Sequence, residues 1–162
     1  MKLIEPSMEY DRQIQAFRRE YLEYGGSMDG SSSLRKFDRT QDWLDQLEPL
    51  TAQYLYVREE DDRVVGVIQI RRRFNEFLEK YAGHIGYCVR PSERRKGYAT
   101  QMLSQALTEC ERLGIYDVLV CCLADNEASR RTILDNGGAY ESKVLEPRSQ
   151  RWIERYWIHL SR

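Results

Sequence analysis

The chain has 162 residues, with 25 Lys and Arg against 26 Asp and Glu, a formal charge of −1 and a pI near 6.2. That balance argues against a general nucleic-acid binder, which carries a strongly basic face, and no apolar run approaches the ~20 residues that span a bilayer. At 41% hydrophobic and 31% charged residues, it reads as a single domain over residues 1–162, long enough to bury a substantial core. The start, Met1-Lys2-Leu3-Ile4-Glu5-Pro6, lacks a signal peptide's apolar region, so a cytoplasmic location is expected. The four cysteines, Cys88, Cys110, Cys121 and Cys122, form no C-x-x-C pair and have no His-rich companion; they read as buried free thiols, with no metal site.

In chain order, Lys2–Pro6 reads as a short strand, and Ser7 is placed to cap a helix whose Ile14, Phe17 and Tyr21 share one face. Gly25-Gly26 ends that helix near Tyr24. Ser27–Ser33 is polar and glycine-containing and reads as a mobile loop. Asp38–Leu47 reads as a second helix, with Trp43, Leu44 and Leu47 on one side and Pro49 beyond it. Tyr54–Val57 and Val64–Ile70 flank the polar turn Glu60–Arg63 as a hairpin. Arg71-Arg72-Arg73 then reads either as a solvated strand end or as a cluster attracting an anion, and Phe74–Tyr81 as a helical turn.

The segment from His84 to Asn126 changes period in its middle. Ile85, Tyr87 and Val89 alternate as in a strand, and Pro91 stops it. From about Ala99, the residues Met102, Leu103, Ala106, Leu107, Cys110 and Leu113 recur at helical intervals. Between them lies a basic loop containing Gly97. A helix N-terminus leaves N–H groups unpaired and is electropositive, so a diphosphate fits there. Gly97 permits close backbone approach, and Arg94, Arg95 and Lys96 add charge. An ordinary solvated strand-to-helix turn reads equally well from the loop alone. Val118–Leu123 then reads as a strand buried on both faces, Ala128–Asn136 as a helix, Ala139–Leu145 as a strand, and Trp152–Leu160 as a last strand packed into the sheet. The order β-α-α-β-β-β-α-β-α-β-β predicts a mixed α/β fold, a mixed sheet with helices on both sides.

The loop lacks the G-x-x-x-x-G-K-[ST] and G-x-G-x-x-G patterns of nucleotide folds. Its Arg94-x-x-Gly97-x-Ala99, straight after a strand and opening a helix, resembles the [QR]-x-x-G-x-[GA] acetyl-CoA motif of the GNAT superfamily of N-acetyltransferases, of bacterial type. Asn126-x-x-Ser129 after the next strand, and a helix closing at Asn136-Gly137-Gly138, continue the likeness over roughly the last two-thirds of the chain. The resemblance implies a central, mostly antiparallel sheet whose strands around His84–Arg90 and Asp117–Ala124 splay apart to admit the pantetheine arm of acetyl-CoA.

Carried over residue by residue, the resemblance implies that Arg94, Arg95, Lys96, Gly97, Tyr98, Ala99 and Thr100 cradle the pyrophosphate. Tyr87, Cys88 and Val89 would line the pantetheine and acetyl groups, with Cys88 or Val89 giving a main-chain N–H to the oxyanion. Asn126 would bond the pantetheine arm, with Ser129 beside it; read from the residues alone, Asn126 is equally a helix cap. The tyrosine acid of many relatives is replaced by Ile133, and the glutamate base of some by Cys121. His84, at the start of the central strand, is the expected base, against the alternative of a histidine bonded to the backbone; His159 has less support. The implied activity is acetyl-CoA-dependent transfer to a primary amine of a small molecule or peptide, by direct attack in a ternary complex. The expected partners are that amine substrate, no nucleic acid and no membrane, with the protein a monomer or homodimer. A non-catalytic acyl-CoA-binding regulatory domain and an unrelated phosphate-binding module remain as alternatives. The acceptor pocket is expected from Ser7–Leu47 and Arg71–Tyr81.

Overall fold

The structure, a computed structural model, describes residues 1–162. Seven strands form one sheet: β1 (Lys2–Ile4), β2 (Thr51–Arg58), β3 (Arg63–Arg71), β4 (Ile85–Val89), β5 (Asp117–Leu123), β6 (Ala139–Glu146) and β7 (Arg151–His159). Their spatial order is β1-β2-β3-β4-β5-β7-β6. The hairpin connections between β2 and β3 and between β6 and β7 make those pairs antiparallel, whereas β4 and β5 are parallel. Only that last connection contains a full helix, the crossover that parallel pairing requires. No helix is long and apolar enough to cross a membrane.

The apolar stripes read from the sequence cover opposite faces of this sheet. On one face lie α1 (Asp11–Tyr24) and α2 (Thr40–Asp45), where Ile14, Phe17, Tyr21 and Trp43 meet Leu55, Val57, Val64, Val67 and Cys88. On the other lie α3 (Tyr98–Arg112) and α4 (Glu127–Asp135). There Met102, Leu103, Ala106 and Ile133 pack on Ile68, Ile70, Ile85, Val118 and Val120. Burying a large aliphatic side chain contributes about 1.5–3 kcal/mol, so these two layers fix the sheet between them. All four cysteines are free; Cys121 is half-buried and the others are buried.

The tertiary structure changes several local expectations. The second helix shrinks to Thr40–Asp45, and the Phe74–Tyr81 turn becomes a wide turn over Leu78–Ala82, closed by Gly83 N–H to Leu78 C=O at 2.6 Å. Ser7 makes no side-chain cap; its carbonyl instead accepts Tyr10 N–H in a short 3₁₀ turn. Trp152 is exposed, and the inward residues of β7 are Ile153, Tyr156 and Ile158. The segment 27–33 is not a loose loop. Ser31 is buried and its carbonyl accepts the Trp43 indole N–H at 2.9 Å, while Gln53 Nε2 donates to Gly30 C=O at 2.9 Å. Gly30, at φ +73, lies so close to β4 that a Cβ there would overlap Gly86 O and stand 2.5 Å from Tyr87 N. Polar composition misleads here because the loop satisfies its carbonyls with buried side chains instead of water.

Candidate active site

The splay expected between the central strands is present and has a simple cause. β4 is paired with β3 from Ile70↔Ile85 to Gly66↔Val89, and β5 with β7 along its whole length, from Asp117↔His159 to Leu123↔Ile153. Between β4 and β5 the ladder is the single pair Ile85↔Val120. Each strand follows the twist of its own partner, so the two diverge beyond that point.

Register decides which peptide groups face the cleft. Arg71 N–H donates to His84 C=O and Arg90 N–H to Val65 C=O, both at 2.7 Å. The antiparallel alternation then sends the Gly86 and Cys88 peptide groups to β3 and turns those of Tyr87 and Val89 to the β5 side. The β3–β4 register runs without a shift, so there is no bulge to reorient Cys88. The Cys88 N–H is therefore committed to β3, and the cleft-facing donors are Tyr87 and Val89. Val89 C=O accepts the Tyr21 hydroxyl at 2.6 Å.

His84 closes the narrow end. Its N–H donates to Leu119 C=O at 2.8 Å, and its Nδ1 accepts Leu119 N–H at 2.9 Å. The ring also packs on Phe74, with centroids 4.2 Å apart. Burial, helped by the Arg71 charge, pushes its pKa down to about 4. The lone pair a base would use is thus engaged with the backbone, and His84 acts as a clasp between β4 and β5.

At the wide end the chain turns through a 3₁₀ turn, Pro91–Glu93, into α3. Arg95 and Gly97 both take the left-handed conformation, at φ +63 and +80. A Cβ on Gly97 would meet nothing nearer than Gln101 Nε2 at 3.9 Å, so glycine serves the backbone angle and leaves the surface open. The first turn of α3 has no side-chain cap. The first main-chain donation is Gln101 N–H to Gly97 C=O at 3.2 Å, which leaves the N–H groups of Tyr98, Ala99 and Thr100 free for an anion.

The loop's own charges are mostly occupied. Glu93 is 4% exposed and holds Arg58 at 2.8 Å, Arg63 at 2.9 Å and Lys96 at 2.8 Å. Burial works to raise its pKa, but the Arg58 and Lys96 hydrogen bonds override that and hold it at about 2. Glu20 accepts Ser92 N–H at 2.6 Å and pairs with Arg90. Arg94 donates to the Tyr24 and Tyr21 hydroxyls at 3.1 and 3.2 Å and lies over the Tyr24 ring. Lys96 and Arg94 therefore brace the loop, and Arg95 alone among its cations makes no ion pair or side-chain bond.

Across the cleft, Asn126 does cap α4, with Oδ1 accepting Ser129 N–H at 3.1 Å. Ser129 Oγ meets the Tyr87 hydroxyl at 2.7 Å, tying β4 to the start of α4. Burial pushes the Tyr87 pKa up to about 12, and burial likewise holds the Cys88 thiol at about 12. Ile133 is fully buried in the core cluster against which Tyr87 packs. On the α1–α2 side, a cavity of about 420 Å³ is lined by Ser32, Gln69, Arg71 and Phe74, with Glu48 among its wall residues. It draws on both segments expected to form an acceptor pocket.

Several of these residues escaped the sequence reading. Glu93 stands as a lone acid inside a basic loop, a usable signal. Glu20 gave none and Tyr21 only that of a core residue, because only the packing of α1 brings them to the end of β4. Arg71 was read as one of three equivalent arginines. In the structure it is shielded, donating to Gly83 C=O at 3.0 Å, while Arg72 and Arg73 are exposed.

A model of the acetyltransferase (GNAT) family matches residues 14–136. No curated protein sequence matches the chain significantly. Among solved structures, a ribosomal-protein-S5-alanine acetyltransferase from Vibrio fischeri superimposes with TM-score 0.73 at 12% identity, over 97% of this chain and 91% of the other. RimJ from Mycobacterium smegmatis, in complex with CoA-disulfide, gives TM-score 0.74 at 16% identity over 97% and 80%. Spermidine N-acetyltransferase SpeG from Vibrio cholerae gives 0.70 at 10% identity over 98% and 95%. The chain belongs to the GNAT family of acetyltransferases, enzymes that transfer acetyl from acetyl-CoA to an amine.

Proposed function

We propose that residues 1–162 act as one catalytic domain in the cytoplasm, moving acetyl from acetyl-CoA to the primary amine of a small molecule or peptide by direct attack in a ternary complex. The observation that carries this reading is β4 itself. Its cleft-facing Tyr87 and Val89 N–H groups lead directly into the uncapped N-terminus of α3, so one segment offers donors for a carbonyl and for a pyrophosphate. The free N–H groups of Tyr98, Ala99 and Thr100, with open space over Gly97, fit the diphosphate of CoA, with Arg95 beside them. We assign Asn126 and Ser129, at the start of α4 and tied to β4 through Tyr87, to the pantetheine arm.

Acetyl-CoA supplies an acetyl thioester. The neutral amine attacks its carbonyl carbon; the N–C bond forms, the C–S bond breaks, and sulfur leaves as thiolate. Cleft-facing N–H groups stabilise the oxygen as negative charge develops on it. A thiol near pKa 12 at Cys88 holds almost no thiolate at neutral pH, which favours direct transfer over an acyl-cysteine route. With His84 engaged, we assign the amine's proton to Asp29, an exposed carboxylate next to Gly30, which lies against Gly86 and Tyr87; the proton passes on to solvent. With Ile133 in place of the tyrosine acid, the thiolate is protonated from water, a modest demand given a thiol pKa of about 8.5.

The test is calorimetric titration of acetyl-CoA into the wild type and Gly97→Glu, with ATP as control. Micromolar binding in the wild type, lost in a variant with an unchanged circular dichroism spectrum, is the expected result. A folded wild type that binds no acetyl-CoA would overturn the assignment.

A further inference from the structure

Arg71 ends β3 and points inward. Its Nη1 donates to Gly83 C=O at 3.0 Å and lies 3.4 Å from Ala82 C=O. Arg58, Arg63, Arg90, Arg130 and Arg155, comparably shielded, each meet a carboxylate; Arg71 meets none. A shielded charge with no carboxylate in contact is costly and invites an anion. The remaining guanidinium donors border the cavity of about 420 Å³, a volume suited to a small ligand. Beside it the Gln69 amide meets the Ser32 hydroxyl at 3.0 Å, whose proton goes to Gln53 Oε1 at 2.6 Å. Two cations, Arg71 and Arg73, line this cavity against one acid, Glu48, so its charge disfavours a polycationic acceptor.

The position matters as much as the charge. Arg71 Nη2 lies 2.7 Å from the place a Cβ on Gly86 would take, and the next residue, Tyr87, turns its N–H to the cleft. Gly30 seats the neighbouring Asp29 on the same stretch of β4. We infer that the acceptor is an amine bearing a carboxylate close to it, an amino acid or a molecule of that shape, whose carboxylate is held by Arg71 beside Gly86 while its amine lies toward Asp29 and the cleft. The inference rests on the acetyl-transfer reading above and names the substrate class of that site.

Product binding tests it without requiring turnover. The protein saturated with CoA is titrated with a panel of N-acetyl-L-amino acids and with the matching N-acetyl amides, followed by ligand-observed NMR. Carboxylates should bind tenfold to a hundredfold tighter than amides, the range for loss of a charge-assisted bidentate contact. Arg71→Gln should abolish the preference and Arg71→Lys restore part of it, with the CoA Kd unchanged in both. In turnover with free amino acids, Asp29→Asn should lower kcat while leaving the carboxylate preference intact. Equal binding of acids and amides by the CoA-bound wild type overturns the anion site alone. A preference that survives in a folded Arg71→Gln overturns the role of Arg71. Failure of the wild type to bind CoA removes the acetyl-transfer reading, and this inference with it.

Discussion

Replacing Glu93 by Gln swaps the buried carboxylate that organises the phosphate-side loop for its neutral isostere. Lys96 then loses its ion-pair partner, while Arg58 keeps Asp61 at 2.7 Å and Arg63 keeps only Glu20, at 4.0 Å. The size of the effect follows from linkage. The Glu93 pKa falls from the ordinary 4.5 to about 2 on folding, and each pH unit over that interval corresponds to about 1.4 kcal/mol. The carboxylate therefore contributes on the order of 3 kcal/mol at pH 7, in line with the cost of breaking a buried ion pair. A folded-state pKa below the unfolded value gives stabilisation that is complete above pH 4.5 and is lost as the pH falls toward 2. Gln mimics the protonated acid, so the wild-type and Glu93→Gln stabilities should differ by about 3 kcal/mol at pH 7 and converge near pH 2. Urea denaturation of both proteins at a series of pH values between 7 and 2.5 reads this directly, since groups that titrate alike in the two cancel. A stability difference under about 1 kcal/mol at pH 7, or one that does not shrink on acidification, would refute the reasoning. Because Glu93 and Lys96 fix the entry to α3, the variant should also bind acetyl-CoA more weakly.

His84 should titrate near pH 4 by NMR and stay neutral at pH 5.5; its depressed pKa predicts stability lost as the pH falls from 6.5 toward 4, and a titration near 6.5 would remove the clasp. Gly30→Ala should lower stability by about 3 kcal/mol or more, combining a left-handed residue with overlap onto β4; an unchanged thermal midpoint would show that the 27–33 segment is not seated as described. Ile133→Tyr should fail to supply an acid. Ile133 is fully buried against Gly138, so the larger ring should cost about 1–3 kcal/mol, and a faster, equally stable variant would contradict that packing.

The element order was legible because each stretch carries its own period. Ile85, Tyr87 and Val89 alternate, Met102 to Cys110 recur at helical spacing, and Gly25 and Pro91 mark stops that depend only on local backbone chemistry. The phosphate-side loop was legible for the same reason, since a strand, a glycine and a helix start are consecutive in sequence. The chemistry of individual side chains was not. His84 reads either as a base or as a histidine bonded to the backbone, and only Leu119, 35 residues away, decides for the second. Lys96 reads as a free cation until Glu93 folds under it, and residues 27–33 read as loose until Trp43 and Gln53 satisfy their carbonyls.

The sequence alone therefore determined the succession of strands and helices, the mixed character of the sheet and the family, all properties of neighbouring residues and their spacing. Only the tertiary structure decided which peptide groups of β4 face the cleft, because that depends on the register with β3. It alone showed that His84 is a clasp and Arg71 a shielded cation with no carboxylate in contact. A side chain's protonation and availability are set by what surrounds it in space, and those surroundings come from segments far apart along the chain.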